Sequence, residues 1–148
     1  MNAMPEIALG PVLFNWQPEA WRDFYFRIAD AAPVATVYVG ETICSKRAPL
    51  FSEYFETVIE RLQRGGKTVI LSTLGQVVQK TDRNLIDSIC SVEELPVEAN
   101  DVSALHALRG RPHGAAACAT TGLSSERFLA FQGGATSTGG NSYWPAST

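Results

Sequence analysis

Residues 35–73 read ATVYVGETICSKRAPLFSEYFETVIERLQRGGKTVILST, two apolar runs joined by a longer amphipathic segment. The runs ATVYVG and TVILST are rich in β-branched residues and nearly continuous in apolar character, which is typical of strands buried on both faces. Between them apolar residues recur at helical spacing, and Gly65-Gly66 is a stop signal. We expect Ser52 to cap this helix at its N-terminus. The stretch predicts a strand, a helix and a second, parallel strand.

The same alternation of strand and helix continues on both sides of this unit. Residues 6–14, EIALGPVLF, predict a first strand, and residues 18–32 predict an amphipathic helix. Residues 74–94 predict a third helix, and residues 95–100, LPVEAN, predict a fourth strand before another helix. This order predicts an α/β protein made of the first four βα units of a parallel (β/α) barrel, or the core of an open doubly wound sheet. The pattern alone leaves both architectures open.

The composition changes after His113. Of the 35 residues from Gly114 to Thr148, 23 are Gly, Ala, Ser or Thr, and no period in them could bury one face. We therefore expect a partial βα-barrel domain over residues 1–113 and a low-complexity tail, disordered or aberrant, over residues 114–148. A truncated or frame-shifted reading of a longer gene would explain this tail, and so would a genuine disordered tail.

Composition limits the classes of function. The chain has 148 residues, a formal net charge of −3 and 45% hydrophobic residues, so a nucleic-acid partner is not expected. The sequence contains no apolar run long enough to span a membrane and does not begin like a secretory signal. Three widely spaced cysteines, Cys44, Cys90 and Cys118, do not form a disulfide framework. We expect a cytoplasmic protein.

Cys44 is the most suggestive residue for chemistry. It follows the second predicted strand, at the edge of a parallel sheet where ligands gather, and it is followed closely by Lys46 and Arg47. Neighbouring cations stabilise a thiolate and would also offset the charge of a thiolate-ligated iron–sulfur cluster. From spacing alone, a structural role for Cys44 stays open. Cys90 falls at an apolar position of a predicted helix, which favours core packing.

Three carboxylates lie at the predicted strand ends: Glu41, Glu98 and Asp101. Asp101 is explained as the N-cap of the fourth helix. Glu98 is costly to bury without a partner, and pairing with Lys46 or Arg47 would give it a structural role. Neither histidine, His106 nor His113, stands in a zinc-binding spacing, and neither a phosphate-binding loop nor a nucleophile elbow is present.

The segments LGPVLFNWQPEAWRDFYFRIAD, VYVGETICSKRAP, GKTVILSTL and PVEANDVSALHAL together resemble the N-terminal part of the UbiV-like branch of the collagenase-like putative peptidase family. The resemblance covers about residues 7–113. It implies a barrel of βα units and an accessory role in the oxygen-independent hydroxylation of ubiquinone biosynthesis. It also implies a heterodimer with a UbiU-like sister protein and a [4Fe-4S] cluster held by four cysteines.

The resemblance assigns the first cluster ligand to Cys44, with Lys46 and Arg47 as cofactor-binding residues that compensate its charge. The other three ligands belong to a later Cys-rich region that this sequence does not match, so we do not expect this chain alone to assemble the cluster. No catalytic residue is identified. The alternatives are a collagenase-like peptidase, an RNA-hydroxylating member of the family and an inactive fragment.

Overall fold

Five short parallel strands lie side by side in the computed structural model of the chain, which describes residues 6–109 and the backbone of residues 115–116. The strands are β1 (Ala8–Leu9), β2 (Thr36–Val39), β3 (Thr68–Ser72), β4 (Val97–Glu98) and β5 (Ala115–Ala116). Their spatial order is β1-β2-β3-β4-β5, and every neighbouring pair is parallel. The predicted parallel α/β architecture of consecutive βα units is confirmed. Among these strands the order does not reverse, as it does in a doubly wound sheet.

A helix connects each strand to the next as far as β4, and a fourth helix follows it. The helices are α1 (Pro18–Ala31), α2 (Ala48–Arg64), α3 (Lys80–Cys90) and α4 (Val102–Ala107), and a 3-10 turn over Ser45–Arg47 leads into α2. α1 packs against α2, and α3 packs against α4. Right-handed crossovers to consecutive neighbours place such helices on one face of the sheet.

The apolar core lies between this helix layer and the sheet. One cluster of buried residues, with Val37, Val39 and Leu62 among them, joins α1 and α2 to the first strands. A second cluster packs α3 and α4 onto Leu71 and Val97. The predicted core position of Cys90 is confirmed, because only 4% of this residue is exposed. β3 is buried on both faces, as its continuous apolar run predicts.

Two predicted boundaries are wrong. α2 begins at Ala48 instead of at Ser52, because the 3-10 turn runs directly into the helix and Pro49 occupies its first turn, where a missing N–H costs nothing. The Ser52 hydroxyl donates to the carbonyl of Pro49 at 2.9 Å instead of capping. β1 is limited to Ala8–Leu9, since Gly10 and Pro11 interrupt the pairing.

The sheet continues past the predicted domain boundary at His113. Ala115 pairs with Val97 and Ala116 with Glu98, which adds a fifth strand on the far side of β4. Two alanines carry no periodic signal, so composition could not separate this strand from the low-complexity residues around it. The remainder of the predicted tail, residues 117–148 with Cys118, lies outside the described residues.

Candidate functional site

The loop after β2 is organised by Glu41, a buried carboxylate with 6% of its surface exposed. Its Oε1 accepts hydrogen bonds from the backbone N–H groups of Ile43, at 2.8 Å, and Cys44, at 3.0 Å. These bonds turn the chain sharply after Gly40, at the carboxyl edge of the sheet. Glu41 therefore fixes the backbone of Cys44 in place.

Arg47 ties this loop to the one that follows β1. Its Nε lies 3.2 Å from Oε2 of Glu41, and its two terminal nitrogens donate to the carbonyl groups of Leu13, at 3.1 Å, and Phe14, at 2.8 Å. The positive charge of Arg47 is thus matched inside the fold by Glu41. That Arg47 compensates the charge of a cluster at Cys44 stays a prediction. Glu41 would compete with such a cluster for the Arg47 guanidinium.

The thiol that the sequence singled out lies at this edge. Cys44 is half-buried, free of any disulfide and extended in backbone conformation, and its carbonyl accepts from the N–H of Arg47 at 3.0 Å. Lys46, the next predicted residue, is exposed and forms no ion pair within residues 6–109. The structure places Cys44, Lys46 and Arg47 on one short segment, with Arg47 turned toward Glu41.

The described residues do not form a complete metal site. No group of three or more His, Cys, Asp or Glu side chains that could hold a metal occurs among them. Cys90 is buried in the α3 and α4 core and has no access to the edge where Cys44 lies. Within residues 6–109, Cys44 is therefore the one cysteine at this edge, whereas a [4Fe-4S] cluster needs four. This geometry does not define a chemical step at such a cluster.

A second polar group surrounds Glu98 at the end of β4. Its Oε2 accepts from the hydroxyl of Ser72, at 2.7 Å, and from the side-chain amide of Asn100, at 3.2 Å. Ser72 and Glu98 are in register on neighbouring strands, which brings them together. Within the described residues Glu98 pairs with neither Lys46 nor Arg47, because Arg47 pairs with Glu41, and the neutral donors Ser72 and Asn100 bind Glu98 instead.

Thr73 and Asn100 hold the ends of β3 and β4 in one rigid arrangement. The Thr73 hydroxyl donates to the carbonyl of Glu98 at 2.9 Å and accepts from the N–H of Asn100 at 3.0 Å. The Asn100 amide also donates to the carbonyl of Thr73 at 3.1 Å. The sequence places Ser72, Thr73 and Asn100 in polar segments at predicted strand ends, but it did not assign their roles, since these depend on which strands are neighbours.

Glu98 also acts on its surroundings through its charge. The pKa of the half-buried Tyr38 hydroxyl is raised, chiefly by burial and additionally by the negative charge of Glu98. No described residue donates a hydrogen bond to Oε1 of Glu98. Among the described residues, this leaves one carboxylate oxygen that can accept a hydrogen bond from a ligand at this end of the sheet.

A third contact joins the loop after β2 to the start of α3. The Ser45 hydroxyl donates to Oδ1 of Asp82, while Oδ2 accepts from the N–H groups of Val78, at 3.0 Å, and Gln79, at 2.8 Å. These bonds, led by the one from Ser45, lower the pKa of Asp82 to about 2. Asp82 therefore caps α3 and holds the Cys44 segment against it, which spacing in the sequence did not reveal.

In comparisons with known proteins, no family model matches the sequence and no solved structure gives a significant match. None of the helices within the described part of the chain is both long and apolar enough to cross a bilayer. The Cys44 loop and the Glu98 group lie at the same carboxyl edge of the sheet, after β2 and β4, with β3 between them.

Proposed function

We propose that this chain is a UbiV-like protein of the collagenase-like putative peptidase family, which supports oxygen-independent hydroxylation in ubiquinone biosynthesis. In this proposal Cys44 is one ligand of a [4Fe-4S] cluster, and Lys46 and Arg47 lie beside it as cations. The protein works in the cytoplasm as a heterodimer with a UbiU-like sister protein. The proposal originates in the sequence motifs GETICSKR and EAND.

One observation carries the proposal on the structural side. The Cys44 backbone is held at the carboxyl edge of a parallel sheet by two hydrogen bonds to a buried carboxylate, and its side chain is partly accessible. A ligand in this position is pre-oriented, since the loop does not need to order itself when a cofactor binds. The second motif of the resemblance, EAND, contains Glu98 and Asn100, which lie at the same edge two strands away.

The proposed architecture is a (β/α) barrel of which these residues form the first units. Sequential strand order without reversal is the order of such a barrel. β3 is also buried on both faces, with 1% of Ile70 and 1% of Leu71 exposed, as in a barrel whose interior is filled by side chains. Tyr38, Ile70, Ser72 and Glu98 would then point into the barrel interior.

The test is ubiquinone content in a strain that lacks this gene, grown without oxygen and complemented with the wild-type gene or with Cys44→Ala. We expect ubiquinone to be lost on deletion, restored by the wild type and not restored by Cys44→Ala. Cys90→Ala is the matched control, because it removes a thiol that the geometry keeps away from this edge. Unchanged ubiquinone in the deletion strain would overturn the proposal.

A second measurement tests whether Cys44 binds a cluster, independently of the proposed role in ubiquinone biosynthesis. The chain, co-expressed with its UbiU-like partner and purified without oxygen, is analysed for iron and acid-labile sulfide in wild type, Cys44→Ala and Cys90→Ala. Because residues 6–109 offer one cysteine at this edge, the partner would have to supply the remaining ligands, and we then expect a loss of iron only in Cys44→Ala. Equal iron in all three would remove Cys44 from the ligand set.

A peptidase activity of the purified protein, or a loss of modified RNA nucleosides in the deletion strain, would favour the alternative branches of the family.

A further inference from the structure

A cleft of about 690 Å³ lies between α2 and α3, on the helix side of the sheet. Its size falls in the range of sites that bind small molecules. Cys44 and Glu98 do not line it, whereas Glu41, Ser45 and Lys46 of the loop after β2 do, so the cleft borders the candidate site without containing its thiol.

The inner part of the cleft is apolar. It is lined by aromatic and aliphatic side chains, which are Trp21, Phe51, Phe55, Leu85 and Ile89. Trp21 stacks on Phe51, with ring centroids 5.1 Å apart, and on Phe55, at 6.4 Å, so this wall is rigid. Such a surface binds hydrocarbon with little loss of side-chain entropy.

The other end of the cleft, beside the N-terminal turns of α2 and α3, is polar. Lys46, Thr81 and Asn84 line it, and their side chains form no hydrogen bond or ion pair with any other described residue. Glu41 is the one carboxylate that the lining contributes, and its charge is engaged by Arg47 at 3.2 Å. Lys46 is therefore the one cation in the lining that has no ion pair within the described residues, and Thr81 and Asn84 are neutral donors beside it.

We propose that this cleft binds a monomeric, single-chain amphiphile with a carboxylate head, that is, a medium-chain fatty acid. Lys46, Thr81 and Asn84 would bind the carboxylate, and the acyl chain would lie along the aromatic wall. Along α3, the distance from Thr81 to Ile89 is about 12 Å at the helical rise per residue, which suits a medium-length chain. A single lysine matches a single negative charge.

A free amphiphile fits these observations better than a bilayer surface does. The apolar residues of the cleft are recessed between two helices, whereas a membrane-binding face presents them outward with a cluster of cations. The net charge of −3 opposes attraction to an anionic bilayer. The inference shares Lys46 with the UbiV-like proposal but needs neither Cys44 nor a cluster, so binding of an amphiphile is testable whether or not a cluster forms.

The test is isothermal titration of the full chain with decanoate, octanoate and decanol, each below its critical micelle concentration. We expect saturable binding of one decanoate per chain, weaker by about tenfold for octanoate because two fewer methylenes are buried. Lys46→Met should weaken decanoate about fivefold and leave decanol unchanged, because only the charged head loses its partner. Lys80→Met is the matched control, since Lys80 is exposed at the start of α3 and does not line the cleft.

Thr81→Val is a second variant, on an exposed residue whose replacement leaves the core intact. It should also reduce the preference for decanoate over decanol. Equal affinities for decanoate in wild type and both cleft variants would overturn the proposal, as would the absence of saturable binding in a chain whose circular dichroism is that of a folded protein. Binding that occurs only with anionic vesicles would assign the surface to a bilayer and would likewise overturn it.

Discussion

Glu41 and Arg47 form an ion pair in which Oε2 and Nε lie 3.2 Å apart, with only 5% and 16% of the two side chains exposed. The pair joins the loop after β2 to the loop after β1. Glu41 also binds the backbone of the Cys44 segment, and Arg47 also binds two carbonyl groups of the loop after β1. One pair of charges therefore organises the edge of the sheet that carries the candidate site.

Replacing Glu41 by Gln should destabilise the protein by about 2 to 3 kcal/mol, because it leaves the nearly buried Arg47 without a counter-charge. The amide oxygen of Gln can still accept the two backbone hydrogen bonds. The measurement is urea unfolding followed by tryptophan fluorescence. Asp30→Asn is the matched control. Its partner Arg61 lies 2.8 Å away in an exposed pair, with side chains 51% and 42% exposed, so its loss should change stability far less. Equal losses would contradict the organising role of Glu41.

The stabilising effect of Asp82 should disappear in acid. Its folded pKa of about 2 lies below the ordinary value of 3.8, because the Ser45 hydroxyl and two backbone N–H groups bind the ionised form. The carboxylate therefore stabilises the fold above pH 3.8, and this contribution is lost as the pH falls through about 2. We expect the urea midpoints of wild type and Asp82→Asn to differ at neutral pH and to converge in acid.

Ser45→Ala provides the control for this pH dependence. It removes the largest cause of the lowered pKa, so the carboxyl resonance of Asp82, followed by NMR, should titrate at a higher pH than in the wild type. A titration unchanged by Ser45→Ala would show that the backbone amides alone hold the ionised form.

Gly40→Ala should prevent stable folding. A Cβ at this position would lie 2.2 Å from the carbonyl oxygen of Ser72, and the φ of Gly40 is +156°, so two backbones would have to separate. We expect a loss of at least about 2 kcal/mol, measured by urea unfolding or as a loss of soluble protein. Gly10→Ala is the matched control, because nothing lies within 4 Å of the added methyl group. Similar behaviour of the two variants would contradict the close approach of β2 to β3.

The two described thiols should differ in reactivity in the native protein. Cys44 is half-buried at the edge, whereas Cys90 has 4% exposure in the core, so iodoacetamide should modify Cys44 first and Cys90 only on unfolding. Peptide mass mapping at increasing urea concentrations measures this order. Cys44→Ser should remove the early modification, and a Cys90 that reacts as fast as Cys44 without urea would contradict the core assignment.

The elements of the fold were predictable because their signals are local. The β-branched runs predicted β2 and β3, Gly65 and Gly66 marked the end of α2, and Asp101 caps α4 by accepting from the N–H of Ser103 at 2.7 Å, as expected. The starts of helices were harder, as at Ala48, where a 3-10 turn and a proline replaced the expected serine cap. β5 was missed because two alanines have no pattern.

By itself, the sequence determined that this chain forms consecutive βα units, that Cys90 is buried and that Cys44 follows a strand, since each follows from the order of neighbouring residues. Only the tertiary structure decided the partners of the charged groups. Arg47 binds Glu41 instead of standing free beside Cys44, Ser72 reaches Glu98 across 26 positions, and Ser45 reaches Asp82 across 37. The physical reason is that a charged group pairs with the donor that packing brings within about 3 Å. That distance depends on strand register and loop geometry, which no local pattern encodes.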